Sequence, residues 1–275
     1  LNIIYFHQYF CTPKGSGGTR SYFIAKALVK AGHEVKVVCL NDKRSNTGLK
    51  SSFKNGFRKG KVEGIEVIEI NLSYSNKLNL YQRSIAFLKF SLICSLIAIK
   101  SECDLIYATS TPLTIAIPAI FGKIIRGRKF IFEVRDLWPQ TLVEMNVISK
   151  NSFLRIILDY LDSFLARKSY KIIVLMKGAK YFYKAKGISE EKVAWISNGV
   201  DYKDKIFFNK DYKENSFTLT YMGSMGPANS VETILYAMNY VNKIKKNKLN
   251  IKLKLFGSGS RKKELISLAE TFNLK

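Results

Sequence analysis

The chain has 275 residues, of which 47% are hydrophobic and 24% are charged, a composition typical of a globular protein with one large or two modest domains. Its 45 Lys and Arg against 21 Asp and Glu give a net charge of +24, which favours anionic partners such as nucleic acid, acidic lipid or phosphorylated small molecules. A genome rich in Lys, Asn and Ile codons is an equally good explanation, because the lysines are spread along the whole chain rather than clustered. Four cysteines without a C-x-x-C pair and only two histidines argue for reduced thiols and against a disulfide framework or a zinc site.

Strand and helix patterns alternate along the first two thirds of the chain. Polar residues 41–62 predict a loop, and a long loop is also predicted after residue 134. Apolar strands alternating with amphipathic helices predict a parallel sheet covered by helices. The predicted strands are 2–6, 34–40, 65–70, 104–109, 129–134, 171–175 and 193–197, and the predicted helices are 19–32, 80–101, about 112–126, 152–169 and 177–186.

A second, shorter series of the same kind follows a polar, turn-rich stretch. It comprises strands at 217–223 and 251–257, and helices at 228–244 and 260–273. A boundary at Asn198 gives an N-terminal domain of residues 1–198 and a C-terminal segment of residues 199–275, which is 275 − 198 = 77 residues long. A parallel α/β domain usually needs roughly 100–150 residues. The second domain is therefore predicted to be incomplete.

Two features of the sequence bear on membranes. The start "LNIIYF" lacks the basic region and cleavage site of a signal peptide. The most apolar segment, Ser84–Ile99, contains Lys89 and falls short of the roughly 20 apolar residues of a membrane span. It predicts a helix that is either buried or leans on a membrane.

The stretch "TPKGSGGTRSYF" (12–23) places three glycines between the first strand and the first helix. Glycines at Gly15, Gly17 and Gly18 let backbone amides approach a ligand, and a helix N-terminus favours a phosphate. Thr19 is a candidate N-cap. The pattern is neither a G-x-G-x-x-G nor a Walker motif, and a plain flexible loop is the alternative.

The stretch "FEVRDLWP" (132–139) follows a later strand of the same predicted sheet, so Glu133, Arg135 and Asp136 should emerge at the edge that carries the glycine loop. A carboxylate there can accept a proton from an attacking hydroxyl, and an arginine can orient it or bind an anion. The alternative is a structural Asp–Arg pair beside a loop filled by Trp138. Ser110 and Thr111 follow another strand, and helix capping is their preferred interpretation.

The second segment contains the same motif twice: a strand, then a loop of small residues, then a helix. The two stretches are "YMGSMGPANS" (221–230) and "LFGSGSRKKEL" (255–265). Two such helix N-termini, opposite the glycine loop, predict a diphosphate-bearing ligand held between two Rossmann-like lobes. "ISNGVD" (196–201) is a turn that either joins the domains or contributes Asn198 to that site.

These motifs, taken in order, resemble family 4 retaining glycosyltransferases of GT-B fold, in particular the bacterial surface-polysaccharide branch described as fucosamine-type sugar transferases. The resemblance covers essentially the whole chain. Its most specific part is E-x-R-D-x-W-P, whereas "NGVD" is common across the wider family. The implied fold is α/β and GT-B-like, with residues 1–198 on the acceptor side and an incomplete domain at 199–275 on the donor side.

The resemblance also implies residue roles. Gly17 and Gly18 would line the donor diphosphate, and positions 133–136 match an active-site side chain near the donor sugar and acceptor. Many members carry Arg and Lys in the loop that corresponds to Gly223, Ser224 and Gly226, whereas this chain offers Asn229 as the nearest polar substitute. The loop of Gly257, Ser258 and Gly259 would contact the nucleotide. The family's E-x7-E element lies beyond Lys275, which implies a fragment, a degraded homologue or a piece that needs a partner.

The implied function is transfer of a hexosamine-like sugar from a nucleoside diphosphate, expected to be UDP, to a lipid-linked saccharide in surface polysaccharide synthesis such as lipopolysaccharide or capsule. No metal or other cofactor and no nucleic-acid partner is expected. The expected location is the cytoplasm, peripherally at the inner face of the cytoplasmic membrane, where anionic lipid would attract the positive chain. Alternatives are a non-catalytic sugar-nucleotide-binding subunit, a sugar-nucleotide epimerase, which the scarcity of histidine disfavours, and a nucleic-acid binder, which lacks a recognition motif.

Overall fold

A computed structural model of the chain describes residues 1–42, 45–72, 80–199, 216–244 and 250–274. The chain divides into two units, Leu1–Val200 and Asp201–Lys275. The last two residues of the "SNGVD" motif lie outside the described residues. The assignment of acceptor and donor sides to the two domains stays a prediction.

The first unit is built on an eight-stranded sheet in which every neighbouring pair but one is parallel. Its spatial order is β3-β4-β2-β1-β5-β6-β7-β8. The prediction of an α/β fold with a mostly parallel sheet is confirmed. The strands are β1 (Asn2–Phe6), β2 (Glu34–Leu40), β3 (Phe57–Val62), β4 (Ile65–Ile70), β5 (Leu105–Thr109), β6 (Lys129–Val134), β7 (Lys171–Val174) and β8 (Val193–Trp195).

The loop predicted at 41–62 was wrong in its last six residues. Residues 57–62 form β3, which pairs antiparallel with β4 at the edge of the sheet. Glu63 and Gly64 connect the two strands, and both have positive φ (47° and 86°), as a two-residue type I′ turn requires. Because β3 is an edge strand with half-exposed and exposed positions, "FRKGKV" lacks the apolar run that marks the inner strands.

Helices cover both faces of this sheet. The successive residues of β1 alternate between two cores, with Ile4 and Phe6 in one and Ile3 and Tyr5 in the other. Helix α1 packs on the second core, whereas α2, α3, α5 and α6 contribute to the first. The helices are α1 (Arg20–Lys30), α2 (Leu80–Lys100), α3 (Ile117–Arg126), α4 (Gln140–Glu144), α5 (Phe153–Lys168) and α6 (Ala179–Ala185), with 3-10 turns at Leu113–Ala116 and Glu190–Lys192.

The second unit, in its described residues, consists of two parallel strands and two helices. They are β9 (Ser216–Met222), α7 (Glu232–Lys243), β10 (Asn250–Phe256) and α8 (Lys262–Thr271), with a 3-10 turn at Pro227–Asn229. Its small core contains Met225, Val231, Leu235 and Leu265. The four elements follow the predicted order.

Candidate active site

The carboxyl edge of the first unit's sheet holds an open cavity of about 670 Å³. Its wall is formed by the first turn of α2 and by the segments that follow β1, β2, β5, β6, β7 and β8, which all leave the sheet at this edge. Parallel α/β sheets bind ligands at this edge because the loops and helix N-termini converge there. Of the sequence-predicted residues, Gly17, Gly18, Arg135, Asp136 and Asn198 line the cavity.

The glycine loop forms one wall of the cavity through Gly17 and Gly18. A Cβ atom at Gly18 would lie 3.3 Å from Nη2 of Arg135, so glycine here lets the loop and the guanidinium approach closely. Gly15 closes a backbone turn with Thr12 (N to O, 3.0 Å) and does not line the wall. Thr19 occupies the N-cap position of α1 but makes no side-chain capping bond to a described residue.

Arg135 is held by a buried histidine. Nη1 of Arg135 lies 3.1 Å from Nε2 of His7, and Nδ1 of His7 lies 2.6 Å from Oγ of Ser21 in α1. A guanidinium only donates, so Nε2 must be the accepting nitrogen and Nδ1–H must donate to Ser21. Burial, and then the charge of Arg135, lower the pKa of His7 from 6.5 to about 3, which keeps the ring neutral.

Asp136 is exposed to the cavity and is oriented by a neighbouring strand. Its Oδ2 accepts a hydrogen bond from Oγ1 of Thr111 at 3.0 Å. Oγ of Ser110 accepts from the backbone N–H of Arg135 at 3.1 Å. The capping role predicted for Ser110 and Thr111 was therefore wrong, because both hydroxyls instead hold the loop that presents Arg135 and Asp136.

Glu133 takes a different position from its two neighbours. Its side chain is fully buried, with one carboxylate oxygen accepting from Tyr107 and the other from Nε of Arg20 at 3.1 Å. Burial, and then the neighbouring Tyr5 and Glu133, raise the pKa of Tyr107, so its hydroxyl stays protonated and donates. With both oxygens engaged by the protein, this carboxylate is placed to support the site rather than to meet a ligand.

Arg20 connects this carboxylate to the segment that follows β8. Besides Glu133, its guanidinium donates to the carbonyl oxygens of Ile196 and Ser197 at 2.8 and 2.7 Å and to Oδ1 of Asn198 at 3.3 Å. The first residue of α1 thereby ties the end of β6 to the segment after β8. Asn198, which accepts one of these hydrogen bonds, also lines the cavity.

The glycine loops of the second unit pack on each other. The N–H of Gly223 donates to Phe256 O at 3.0 Å, and the N–H of Met225 donates to Ser258 O at 2.9 Å. A Cβ at Gly257 would lie 1.9 Å from Gly223 O, and one at Gly259 would lie 2.3 Å from Met225 O. Both glycines are thus required by backbone packing, whatever else they bind. Ser224, Gly226 and Asn229 lie in the same β9–α7 segment, where Asn229 N–H donates to Gly226 O at 3.1 Å.

The sequence interpretation missed His7, Arg20 and Arg83. Arg83, in the first turn of α2, lines the cavity with Arg135. The available signal for His7 was a polar pair, "HQ", inside an otherwise apolar run directly after β1. Within the described residues, no group of three or more His, Cys, Asp or Glu side chains is arranged to hold a metal ion.

Comparison with known proteins assigns a family to this chain. The sequence profile of Glycosyltransferase Family 4 matches residues 17–204, more than half of the chain. The chain belongs to Glycosyltransferase Family 4. The match begins at Gly17 of the cavity wall and includes Arg135, Asp136 and Asn198, so the family assignment and the cavity concern the same segment.

Relatives of this Family 4 chain are glycosyltransferases. It is 24% identical to "Probable glycosyltransferase WbjE" of Pseudomonas aeruginosa over 177 residues, which cover 61% of this chain and 44% of that protein. In structure it resembles Anabaena Alr3699/HepE in complex with UDP-glucose (17% identity, TM-score 0.62, covering 100% of this chain and 66% of that one). It also resembles the sucrose-phosphate synthase of Thermosynechococcus elongatus (15%, TM-score 0.65, covering 99% and 68%).

These comparisons establish the fold as that of GT-B glycosyltransferases, and the profile match places the chain in Glycosyltransferase Family 4. The chain spans less than half of WbjE and about two thirds of the two solved structures.

Proposed function

We propose that this Family 4 chain transfers a sugar from a nucleoside-diphosphate donor to a lipid-linked saccharide, with retention of anomeric configuration, in the synthesis of a surface polysaccharide. The observation that carries the proposal is that Arg135 and Asp136 line the cavity together with Gly17 and Gly18, and that Gly18 lets the glycine loop approach the Arg135 guanidinium closely. UDP is the proposed nucleotide, and the likeness to a structure holding UDP-glucose supports it.

Arg135 is proposed to bind an anionic group of the donor. Its guanidinium is held by His7, which accepts at Nε2 and is neutral, so the full positive charge of Arg135 stays available to a ligand. Amides of the glycine loop would complete the cradle, because the loop passes so close to the guanidinium that a Cβ at Gly18 would lie 3.3 Å from Nη2. Such fixed donors stabilise a leaving diphosphate without reorganisation during the reaction.

Asp136 is proposed to act on the acceptor hydroxyl or on the sugar that is being transferred. It is the carboxylate of the 132–139 stretch that faces the cavity, whereas both carboxylate oxygens of Glu133 accept hydrogen bonds from Arg20 and Tyr107. The role of Glu133 is therefore revised to positioning. In the second unit, the Gly223–Asn229 and Gly257–Gly259 segments remain the proposed donor-side contacts.

The acceptor and location are proposed from the charge and from one helix. A net charge of +24 favours a chain that works at an anionic surface, and helix α2 combines an apolar outer side with a cavity residue, Arg83. Both fit an acceptor with a lipid tail and an anionic link. The proposed location is the cytoplasmic face of the membrane.

The proposal is tested by titration calorimetry of the chain with UDP, GDP and UDP-sugars, followed by transfer to a detergent-solubilised lipid-linked saccharide and determination of the product's anomeric configuration by NMR. Arg135→Gln should weaken UDP binding at least 10-fold, whereas Arg167→Gln, an exposed arginine outside the cavity, should not. Nucleotide binding without transfer would favour the binding-subunit alternative. Absence of nucleotide binding by this chain and also by a version extended to a complete second domain would overturn the donor site.

A further inference from the structure

Helix α2 has two contrasting sides. Its inner side is buried in the core through Phe90, Cys94 and Ala98. Its outer side carries Leu88, Leu92 and Leu96, spaced by four residues and exposed to 51%, 62% and 56% of their surface. Exposed leucines scattered singly are ordinary, but a stripe at helical spacing is a continuous apolar surface.

The apolar surface continues on the neighbouring helix α3. Gly122 of α3 lies at the α2 contact, where an added Cβ would be 3.8 Å from Cβ of Ala98. Phe121, Ile124 and Ile125, around this glycine, are exposed to 40%, 73% and 53%. We call the six side chains Leu88, Leu92, Leu96, Phe121, Ile124 and Ile125 the α2–α3 face.

Helix α2 is fixed on the protein rather than free to cross a bilayer. Among the described residues, Tyr81–Lys100 is one helix whose length and composition alone would allow a membrane span. However, Oγ of Ser91 donates to Thr114 O at 2.7 Å, and Nε of Arg126 donates to Ile99 O at 2.9 Å. Spanning would break these bonds and empty the core of Phe90, Cys94 and Ala98. The helix is therefore suited to lie along a surface.

Charge identifies the surface that would cover this face. Residues 80–129, which contain α2 and α3, include seven Lys or Arg and two Asp or Glu. Lys89 and Lys100 are exposed on α2 itself. Two copies of the chain meeting through this face would oppose like charges, whereas anionic lipid headgroups would neutralise them. Apolar side chains framed by cations are the pattern of a helix that lies in a membrane interface.

We propose that the α2–α3 face docks this chain on an anionic lipid bilayer, with α2 parallel to the membrane plane. The proposal rests on the lipid-linked acceptor of the proposed function and names the surface that reaches it. Helix α2 begins beside the cavity, because Arg83 in its first turn is part of the cavity wall. A docked α2 therefore places the cavity next to the layer in which a lipid-linked acceptor resides.

The first test is co-sedimentation of the 275-residue chain with vesicles of phosphatidylglycerol and phosphatidylcholine, compared with phosphatidylcholine alone. We expect binding to the anionic vesicles and at least 10-fold weaker binding by Leu92→Glu/Leu96→Glu. The matched control is Tyr240→Glu/Ile266→Glu, which adds the same two charges at positions exposed to 65% and 50% on helices of the second unit. The control should bind within about twofold of the unchanged chain.

A second pair of variants tests the charge argument. Lys89→Gln/Lys100→Gln should weaken binding to anionic vesicles several-fold, and Lys252→Gln/Lys254→Gln, which removes two exposed lysines from β10, should have less effect. Equal losses in both pairs would show that net charge alone drives binding, and would overturn the assignment of this face. Lack of binding by the unchanged chain would overturn docking itself.

Two further readouts separate the remaining explanations. If size-exclusion chromatography shows a dimer that Leu92→Glu/Leu96→Glu converts to a monomer, a second copy covers the face and the proposal is wrong. Tryptophan fluorescence checks that the variants in the first unit are folded, and far-UV circular dichroism, which detects helices of both units, checks the variants in the second unit. UDP binding by calorimetry should be the same in Leu92→Glu/Leu96→Glu and the unchanged chain, so failure of docking and failure of the donor site give different results.

Discussion

Asp136 is a carboxylate that faces the cavity and is held in place by a neighbouring side chain. The residue follows Arg135 at the end of β6, faces the cavity, and has its Oδ2 fixed by Thr111 at 3.0 Å. Asp136→Asn keeps the side-chain volume and an acceptor for Thr111 but removes the negative charge. We expect kcat for sugar transfer to fall by roughly 10²–10⁴, the usual contribution of a positioned proton acceptor, with no change in the thermal unfolding midpoint. The measurement is initial-rate kinetics with the UDP-sugar donor.

The control for Asp136 is Glu191→Gln, which removes an exposed carboxylate elsewhere in the same unit. It should transfer at the rate of the unchanged chain. Near-normal transfer by folded Asp136→Asn would remove Asp136 from the mechanism and return Glu133 to consideration.

His7 makes stability depend on pH. Its pKa is lowered from 6.5 to about 3 by burial and by Arg135, so between these values the unfolded chain binds a proton that the folded chain does not. The contribution of His7 to the free energy of unfolding is therefore fully present above pH 6.5. It decreases by about 1.4 kcal/mol for each unit by which the pH falls between the two pKa values. In His7→Gln, which can still accept from Arg135 and donate to Ser21, this part of the pH dependence should vanish.

The measurement for His7 is urea unfolding at pH 7, 6 and 5, followed by tryptophan fluorescence. Both tryptophans, Trp138 and Trp195, lie in the first unit, so the signal reports the unit that contains His7. His33→Gln is the control, because it removes the other histidine without touching the cavity. Parallel slopes for the unchanged chain and His7→Gln would show that His7 titrates alike in both states.

At the scale of elements, the loops after β9 and β10 depend on glycine. A Cβ at Gly259 would meet the backbone of Met225 at 2.3 Å, and backbone cannot move aside as a side-chain end can. Gly259→Ala should lower the free energy of unfolding of the second unit by roughly 1–3 kcal/mol, as overpacking does. Hydrogen exchange of the Met225 amide, which bonds to Ser258 O at 2.9 Å, measures the effect.

Gly226→Ala is the matched control for that substitution. It lies in the neighbouring loop after β9, where its added Cβ would meet ordinary contacts of 3.8 Å to Ser224 and 3.9 Å to Asn229. Its φ of −105° suits alanine, and the smaller freedom of the unfolded chain should leave stability unchanged or slightly higher. If both variants exchange alike, the close approach at Gly259 does not limit stability.

Elements with strong periodicity were predictable, and those defined by pairing were not. Strands β1, β2 and β6 are buried on both faces, so their apolar runs mark them in the sequence. Strand β3 is defined by its antiparallel pairing with β4, and its sequence "FRKGKV" has no apolar run that would mark it as a strand. The cavity could be placed at the carboxyl edge from strand order alone. The contact of His7 with Arg135 joins positions 128 residues apart, so no local sequence pattern could predict it.

At the scale of the whole molecule, the two units differ in the size of their cores. The first unit has two buried clusters on the two faces of an eight-stranded sheet. In the described residues of the second unit, the buried cluster consists of four side chains beside a two-stranded sheet. Small cores and two-stranded sheets give marginal stability, because little apolar surface leaves water on folding.

We therefore expect the units to unfold at different urea concentrations. Far-UV circular dichroism, which detects helices of both units, should show an early phase from α7 and α8, while the fluorescence of Trp138 and Trp195 stays unchanged until a later transition. Tyr240→Trp, at a position exposed to 65%, adds a reporter to the second unit, and its signal should follow the early phase. Coincident transitions by all three signals would mean that the units unfold as one, and that the stability of the second unit depends on contacts beyond its own four-residue core.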